Sequence, residues 1–221
     1  GPDKYTGDIP DMTRWQWGNR NNGSMAGTYT PNTAPDIQYS KWNDPSEQLP
    51  EVVVAVIDCG VDETNPDLAG MLWEGPVFAP GGDSHGFCSF ASDTATSTTG
   101  LTELHGTHVA GIIAAEWNGI GTSGVAPNVR IMSLRHKGSA LSSTLACVNY
   151  AKLAAEQGVK IAAINNSWGF ISYMSNMFNI AVTQLGHLGA VSVFASGNET
   201  QNTDIVQDGV SIFANNPYAL T

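Results

Sequence analysis

Basic residues are scarce: nine Lys and Arg stand against twenty Asp and Glu, a formal charge of −11. A chain so poor in cations has no basic surface with which to neutralise phosphates, which argues against nucleic acids and anionic membranes as partners. Cysteine is scarcer still, with only Cys59, Cys88 and Cys147. An odd, sparse set does not make a disulfide framework, and whether two of them pair is a question of geometry. No apolar run approaches the roughly 18 residues of a membrane span. The start carries no signal-peptide pattern, and Gly1-Pro2 reads as a scar of tag removal.

What is present is the material of one globular domain. The 221 residues are 42 % hydrophobic and 13 % charged. A chain of this length buries about 70 % of its unfolded surface. Residues 1–50, rich in Gly, Pro, Asn and Asp, read as an irregular arm, and 51–221 as the domain proper. Val52-Val53-Val54-Ala55-Val56-Ile57, bounded by Pro50 and Gly60, fits a strand buried on both faces, as in a parallel sheet. A Gly/Ser/Thr/Asp-rich loop follows over 74–104, then a helix over about 106–117. Gly106, Ala110, Gly111, Ala114 and Ala115 give that helix a small-residue face, and Gly111, costly in a helix, is expected to mark very close packing. Strands at 129–134, 161–165 and 191–195 alternate with helices at 142–157, closed by Gly158, and 175–188. Such alternation predicts an α/β fold, a mainly parallel sheet with helices on both faces. Ligands of such sheets sit beyond the carboxyl ends of the strands. Asp58, the Asn165–Gly169 segment and Asn198 all fall there.

Four segments carry candidate chemistry. Asp58-Cys59-Gly60 places an acid at the end of a buried strand, suited either to orienting an imidazole or to capping a turn. His105-Gly106-Thr107-His108 opens a glycine-bearing helix; it lacks the His-Glu-x-x-His spacing of a zinc protease. His85 and Cys88, another His-x-x-Cys pair, fall in the loop and read as ordinary loop residues. Asn165-Asn166-Ser167-Trp168-Gly169 and Ser196-Gly197-Asn198 each end a strand with Gly beside side-chain amides, fitting an oxyanion donor at Asn198 or a polar turn. Gly119-Ile120-Gly121-Thr122-Ser123-Gly124 spells G-x-G-x-x-G but follows a helix and precedes a strand, the reverse of a dinucleotide site. The sequons at Asn22, Asn165 and Asn198 are read as polar turns.

Together these segments, with Gly124-Val125-Ala126-Pro127 and Gln16-Trp17-Gly18, resemble the subtilisin-like serine proteases from about Trp15 onward. The order Asp, His, Ser is that of subtilisin. The resemblance implies the three-layer subtilisin-like fold, incomplete at its C-terminus, with a catalytic pair in which Asp58 orients His105 and His105 transfers the proton, and with Asn198 as oxyanion donor. It places an extended peptide substrate between Gly138-Ser139 and Ser167-Trp168-Gly169, and structural calcium at Asp67 and Asn118. Phe170 stands where many family members have Gly, so substrate preference is not carried over. The family's nucleophilic serine comes several tens of residues after the oxyanion Asn, and this chain has 23 residues beyond Asn198. Ser123, in a Gly-Thr-Ser ahead of that Asn, is not the nucleophile. The expectation is therefore a serine endopeptidase, extracellular or at the cell surface, whose serine lies on a C-terminal fragment of the same protein. A non-catalytic scaffold of the same fold is the alternative.

Overall fold

The computed structural model describes residues 37, 50–90, 94–96, 104–118, 121–137, 140–168, 176–198 and 216–221. Apart from residues 37 and 50, the arm read at 1–50 lies outside them, as do Gly138, Ser139 and Gly169.

The described strands form one sheet in the order β2-β3-β4-β1-β5-β6-β7. These are β1 (Val52–Asp58), β2 (Gly82–Asp83), β3 (Gly86–Cys88), β4 (Val129–Arg135), β5 (Ile161–Asn166), β6 (Val191–Phe194) and β7 (Ala219–Leu220). All neighbours pair in parallel except β2 with β3. Helix α1 (His105–Ala114) covers one face, packing Ala110 and Ala114 on Val56, Val129 and Ile131. Helices α2 (Leu141–Glu156) and α3 (Asn176–His187) cover the other, over Ala55, Ile57, Met132, Leu134 and Ile164. That is the expected three-layer α/β arrangement. Period-two alternation sends successive β1 side chains to opposite cores, which is why the strand reads as one apolar run.

The structure departs from the sequence reading in three places. The 74–104 loop holds the β2–β3 hairpin, whose strands of two and three residues are too short to show a period. Helix α1 ends at Ala114, not near residue 117. Gly111 is not a site of close packing, because a Cβ there would meet nothing within 4 Å. The tight glycine is Gly106, where a Cβ would lie 2.3 Å from the Gly60 carbonyl oxygen and 3.1 Å from Asp58 Cβ.

Candidate active site

The carboxyl end of β1 gathers the chemistry. Asp58 closes the strand and is only 4 % exposed. Its Oδ1 accepts the Cys59 backbone N–H at 2.8 Å. His105, the first residue of α1, brings Nδ1 to 2.9 Å from Oδ1 and 2.8 Å from Oδ2 of Asp58. A carboxylate only accepts, so the shared proton sits on Nδ1 and leaves Nε2 as the basic nitrogen. The His105 side chain is 59 % exposed while that of Asp58 is 6 %. The acid is thus sealed and the base opens to solvent, the division of labour expected of an oriented general base.

Several contacts fix this pair. The turn out of β1 requires φ of +106° at Gly60, a conformation that disfavours any side chain. Glycine at 106 lets α1 begin against that turn. Cys59 Sγ accepts the Gly106 N–H at 3.2 Å, and Thr107 Oγ1 accepts the Asp62 N–H at 2.9 Å. Arg135, in register with Asp58, is 8 % exposed and donates through Nε to the Cys59 carbonyl at 2.9 Å. Beside it, the His136 N–H donates to the Asp58 carbonyl at 2.9 Å. Sequence reasoning passed over Arg135 and His136. Their one signal is a basic pair closing an otherwise apolar strand.

Ser167 and Trp168 stand just past β5, and Asn198 four residues past the last residue of β6, so both segments border the same edge of the sheet as Asp58. Asn165 Nδ2 donates to Ser167 Oγ at 2.9 Å. The Trp168 ring packs edge-on against Phe178 and Phe194, each at 6.1 Å, and lies 5.9 Å from His136. Its side chain is therefore engaged with the core. Asn198 is exposed, on a turn with Gly197 at φ of +86°. Gly138, Ser139 and Gly169, the other proposed substrate contacts, lie outside the described residues.

Asp67 is tied to the segment carrying Asn118: Glu116 N–H donates to the Asp67 carbonyl and Thr122 N–H to its Oδ2, both at 2.8 Å. Asp67 Oδ1 is buried and has no hydrogen-bond partner among the described residues. An unsatisfied carboxylate oxygen fits a hard, oxygen-seeking cation. Elsewhere, His85 Nδ1 lies 3.0 Å from the Trp73 carbonyl oxygen and Nε2 3.9 Å from Glu63. Cys59, Cys88 and Cys147 are all thiols. Ser123 is fully buried.

The described residues thus form a three-layer, mainly parallel α/β domain in which a buried Asp at a strand end is bonded to an exposed His. The comparisons narrow this, since the sequence model of the subtilase family matches residues 50–217. The chain belongs to the subtilase family. It is 38 % identical over 152 residues to the thermophilic serine proteinase of Bacillus sp. (strain AK1), covering 68 % of this chain and 34 % of that protein. Fervidolysin of Fervidobacterium pennivorans is 35 % identical over 159 residues, 69 % of this chain and 21 % of its own length. Among solved structures, a protease of Pseudoalteromonas arctica PAMC 21717 superposes with a TM-score of 0.53 at 28 % identity, covering 69 % of this chain and 51 % of that one. The chain thus spans about a third or less of these two curated relatives.

Proposed function

We propose that this chain supplies the acid, the base and the oxyanion donor of a serine endopeptidase, and that a further polypeptide, the Ser-bearing C-terminal part of the same protein, supplies the nucleophile. The observation that carries the reading is the Asp58–His105 pair, bonded at 2.8 Å with Asp58 sealed and His105 open. His105 Nε2 takes the proton of the attacking serine hydroxyl and returns it to the leaving amine. Asp58 holds the tautomer and stabilises the imidazolium. Asn198 donates to the tetrahedral oxyanion, a contact worth about 10²–10³ in turnover in subtilisin. The peptide lies extended between residues 138–139 and 167–169, pairing by backbone.

An exposed apolar strip of the sheet supports a docking place for the second polypeptide. On β6, Ser192 and Phe194 are buried, while Val191 and Val193 are 36 % and 38 % exposed. Leu220 of β7, in register with Val193, is 59 % exposed. This apolar strip lies on the face that α1 covers only over β1 and β4. Packing a helix there would bury it and complete the layer.

Calcium, held by Asp67 and Asn118, belongs to the same proposal as a structural ion tying the 116–122 segment to Asp67; it takes no part in the chemistry. The proposed location is extracellular or at the cell surface, by family. No helix among the described residues is long and apolar enough to cross a membrane.

The test is labelling of the native preparation with a fluorophosphonate, read by denaturing intact mass. A labelled second polypeptide, lost on Asp58→Asn or His105→Ala, is the expected result. A complete protein that takes no label would overturn the protease reading in favour of a non-catalytic scaffold.

A further inference from the structure

Charged side chains are rarely sealed inside a protein unless polar groups meet them, because leaving water is costly. Arg135 is 8 % exposed, so its burial asks for a reason. Its guanidinium lies 5.1 Å from the centroid of the Phe90 ring and donates through Nη1 to the Thr94 carbonyl at a long 3.4 Å. The short bond is the one from Nε–H to the Cys59 carbonyl, at 2.9 Å. The stem of the side chain lies on the same turn: a Cβ at Gly60 would stand 2.9 Å from Arg135 Cδ and 3.2 Å from Nε. The parallel pairing of β1 with β4 runs as far as Asp58 opposite Arg135, and the His136 N–H closes it on the Asp58 carbonyl at 2.9 Å. Gly60 then turns the chain away with φ of +106°. Past that point the turn is held to β4 by a side chain, that of Arg135.

We propose that Arg135 is a positioning residue for peptide hydrolysis: its Nε–H fixes the Cys59 carbonyl and, through Cys59, the Asp58 carboxylate that orients His105. The inference rests on the protease reading above. Cys59 stands at the joint of the pair. Its N–H donates to Asp58 Oδ1 at 2.8 Å, and its Sγ accepts the N–H of Gly106, the residue after His105, at 3.2 Å. A rotation of residue 59 therefore disturbs the carboxylate and the first turn of α1 together. The carbonyl is the third polar group of that residue, and Arg135 holds it. Asp58 Oδ1 is shared between the Cys59 N–H and His105 Nδ1, which stands 2.9 Å away. Where the Cys59 N–H points thus decides how the carboxylate faces the imidazole. Misplacing a reacting group by about 1 Å can cost about 10²-fold in rate. The loss belongs to turnover and not to binding, since Asp58 acts on the imidazolium that forms in the transition state.

The experiment uses the complete protease, Ser-bearing polypeptide included, with Arg135→Met and Arg135→Gln. Both remove the guanidinium charge and its contacts with Thr94 and Phe90. Only Gln keeps a nitrogen donor at the place of Nε, where Met puts a methyl group. Arg135→Met is expected to lower kcat about 10- to 100-fold with KM held within about twofold, and Arg135→Gln to recover turnover to within about threefold of wild type. In Arg135→Met the His105 Nδ1 proton resonance should also move upfield, because its bond to Asp58 weakens. A role in stability alone would lower the melting temperature of both variants and leave that resonance of the folded protein in place. Arg135→Met turnover within about threefold of wild type, an unmoved His105 resonance, or equal losses in the two variants would each overturn the inference and leave the protease reading standing. If Arg135→Met does not fold, Arg135→Gln decides: turnover within about threefold supports the donor role, and a larger loss overturns it. A wild-type protein that hydrolyses no peptide would overturn the protease reading itself, and the inference with it.

Discussion

Two glycines of helix α1 should respond to the same substitution with opposite signs. Glycine in a helix costs about 1 kcal/mol against alanine, so Gly→Ala stabilises wherever the new methyl finds room. At Gly111 a Cβ meets nothing within 4 Å. Gly111→Ala is expected to add about 0.5–1 kcal/mol. At Gly106 a Cβ would stand 2.3 Å from the Gly60 carbonyl oxygen and 3.2 Å from Asp58 Oδ1. Those atoms belong to backbone and to a buried carboxylate, so the helix must move instead. Overpacking of this kind costs about 1–3 kcal/mol, and a backbone clash belongs at the upper end, leaving a net loss of about 2 kcal/mol after the helical gain. In a protein of this size 1 kcal/mol moves the melting temperature by about 2–4 °C. Gly111→Ala should therefore melt about 1–4 °C above wild type and Gly106→Ala about 4–8 °C below it. The assay is calorimetry, with the imidazole nitrogen resonances of His105 as second readout. These should change in Gly106→Ala, because the shifted helix carries His105 off Asp58. A Gly106→Ala protein as stable as Gly111→Ala, with unperturbed His105 signals, would refute the argument that α1 is pressed against the Asp58–Gly60 turn.

Replacing Asp58 by Asn lets an amide donate where the carboxylate accepted, favouring the wrong His105 tautomer; peptide turnover by the complete protease should fall about 10⁴-fold. A loss smaller than tenfold would remove Asp58 from the mechanism. Burial holds the Cys147 thiol and the Tyr150 hydroxyl above their ordinary values of 9.0 and 10.0, with the nearby Cys88 adding to the effect at Cys147. The unfolded chain gives up these protons first, so the thiol's contribution is complete below about pH 9 and the hydroxyl's below about pH 10, and each is lost above that, at up to about 1.4 kcal/mol per pH unit. Urea denaturation at about pH 8 and about pH 10.5 should show that fall, and Cys147→Ala should show less of it; equal slopes in the two proteins would exclude the thiol as its source. Calcium at about a hundred times its dissociation constant should stabilise by about 2.7 kcal/mol. In Asp67→Asn the shift in melting temperature should vanish, and an undiminished shift would place the ion elsewhere.

The primary structure by itself set the class of fold and singled out Asp58 and His105, the pair proposed as catalytic. Apolar runs of four to six residues alternating with helical segments are local signals, and they define β1, β4, β5 and β6 and all three helices to within a few residues. Asp58 and His105 were legible because each sits at an element boundary, a strand end and a helix start, which sequence marks with glycine. Their bonding across 47 residues of chain was a matter for the fold, since it depends on α1 lying against β1. Which glycine is pressed and which is open was likewise undecidable locally: Gly106 and Gly111 look alike in sequence, and only the approach of the Gly60 carbonyl separates them. The two-residue strands β2 and β7 were beyond any period and exist because longer neighbours offer them an edge. Nothing local in the sequence marks Arg135 beyond its place in a basic pair at a strand end, yet register brings it beneath the Asp58–Gly60 turn, where the Cys59 and Thr94 carbonyls meet its guanidinium. Pattern along the chain fixes which way side chains face; contacts between residues distant in sequence fix what they meet.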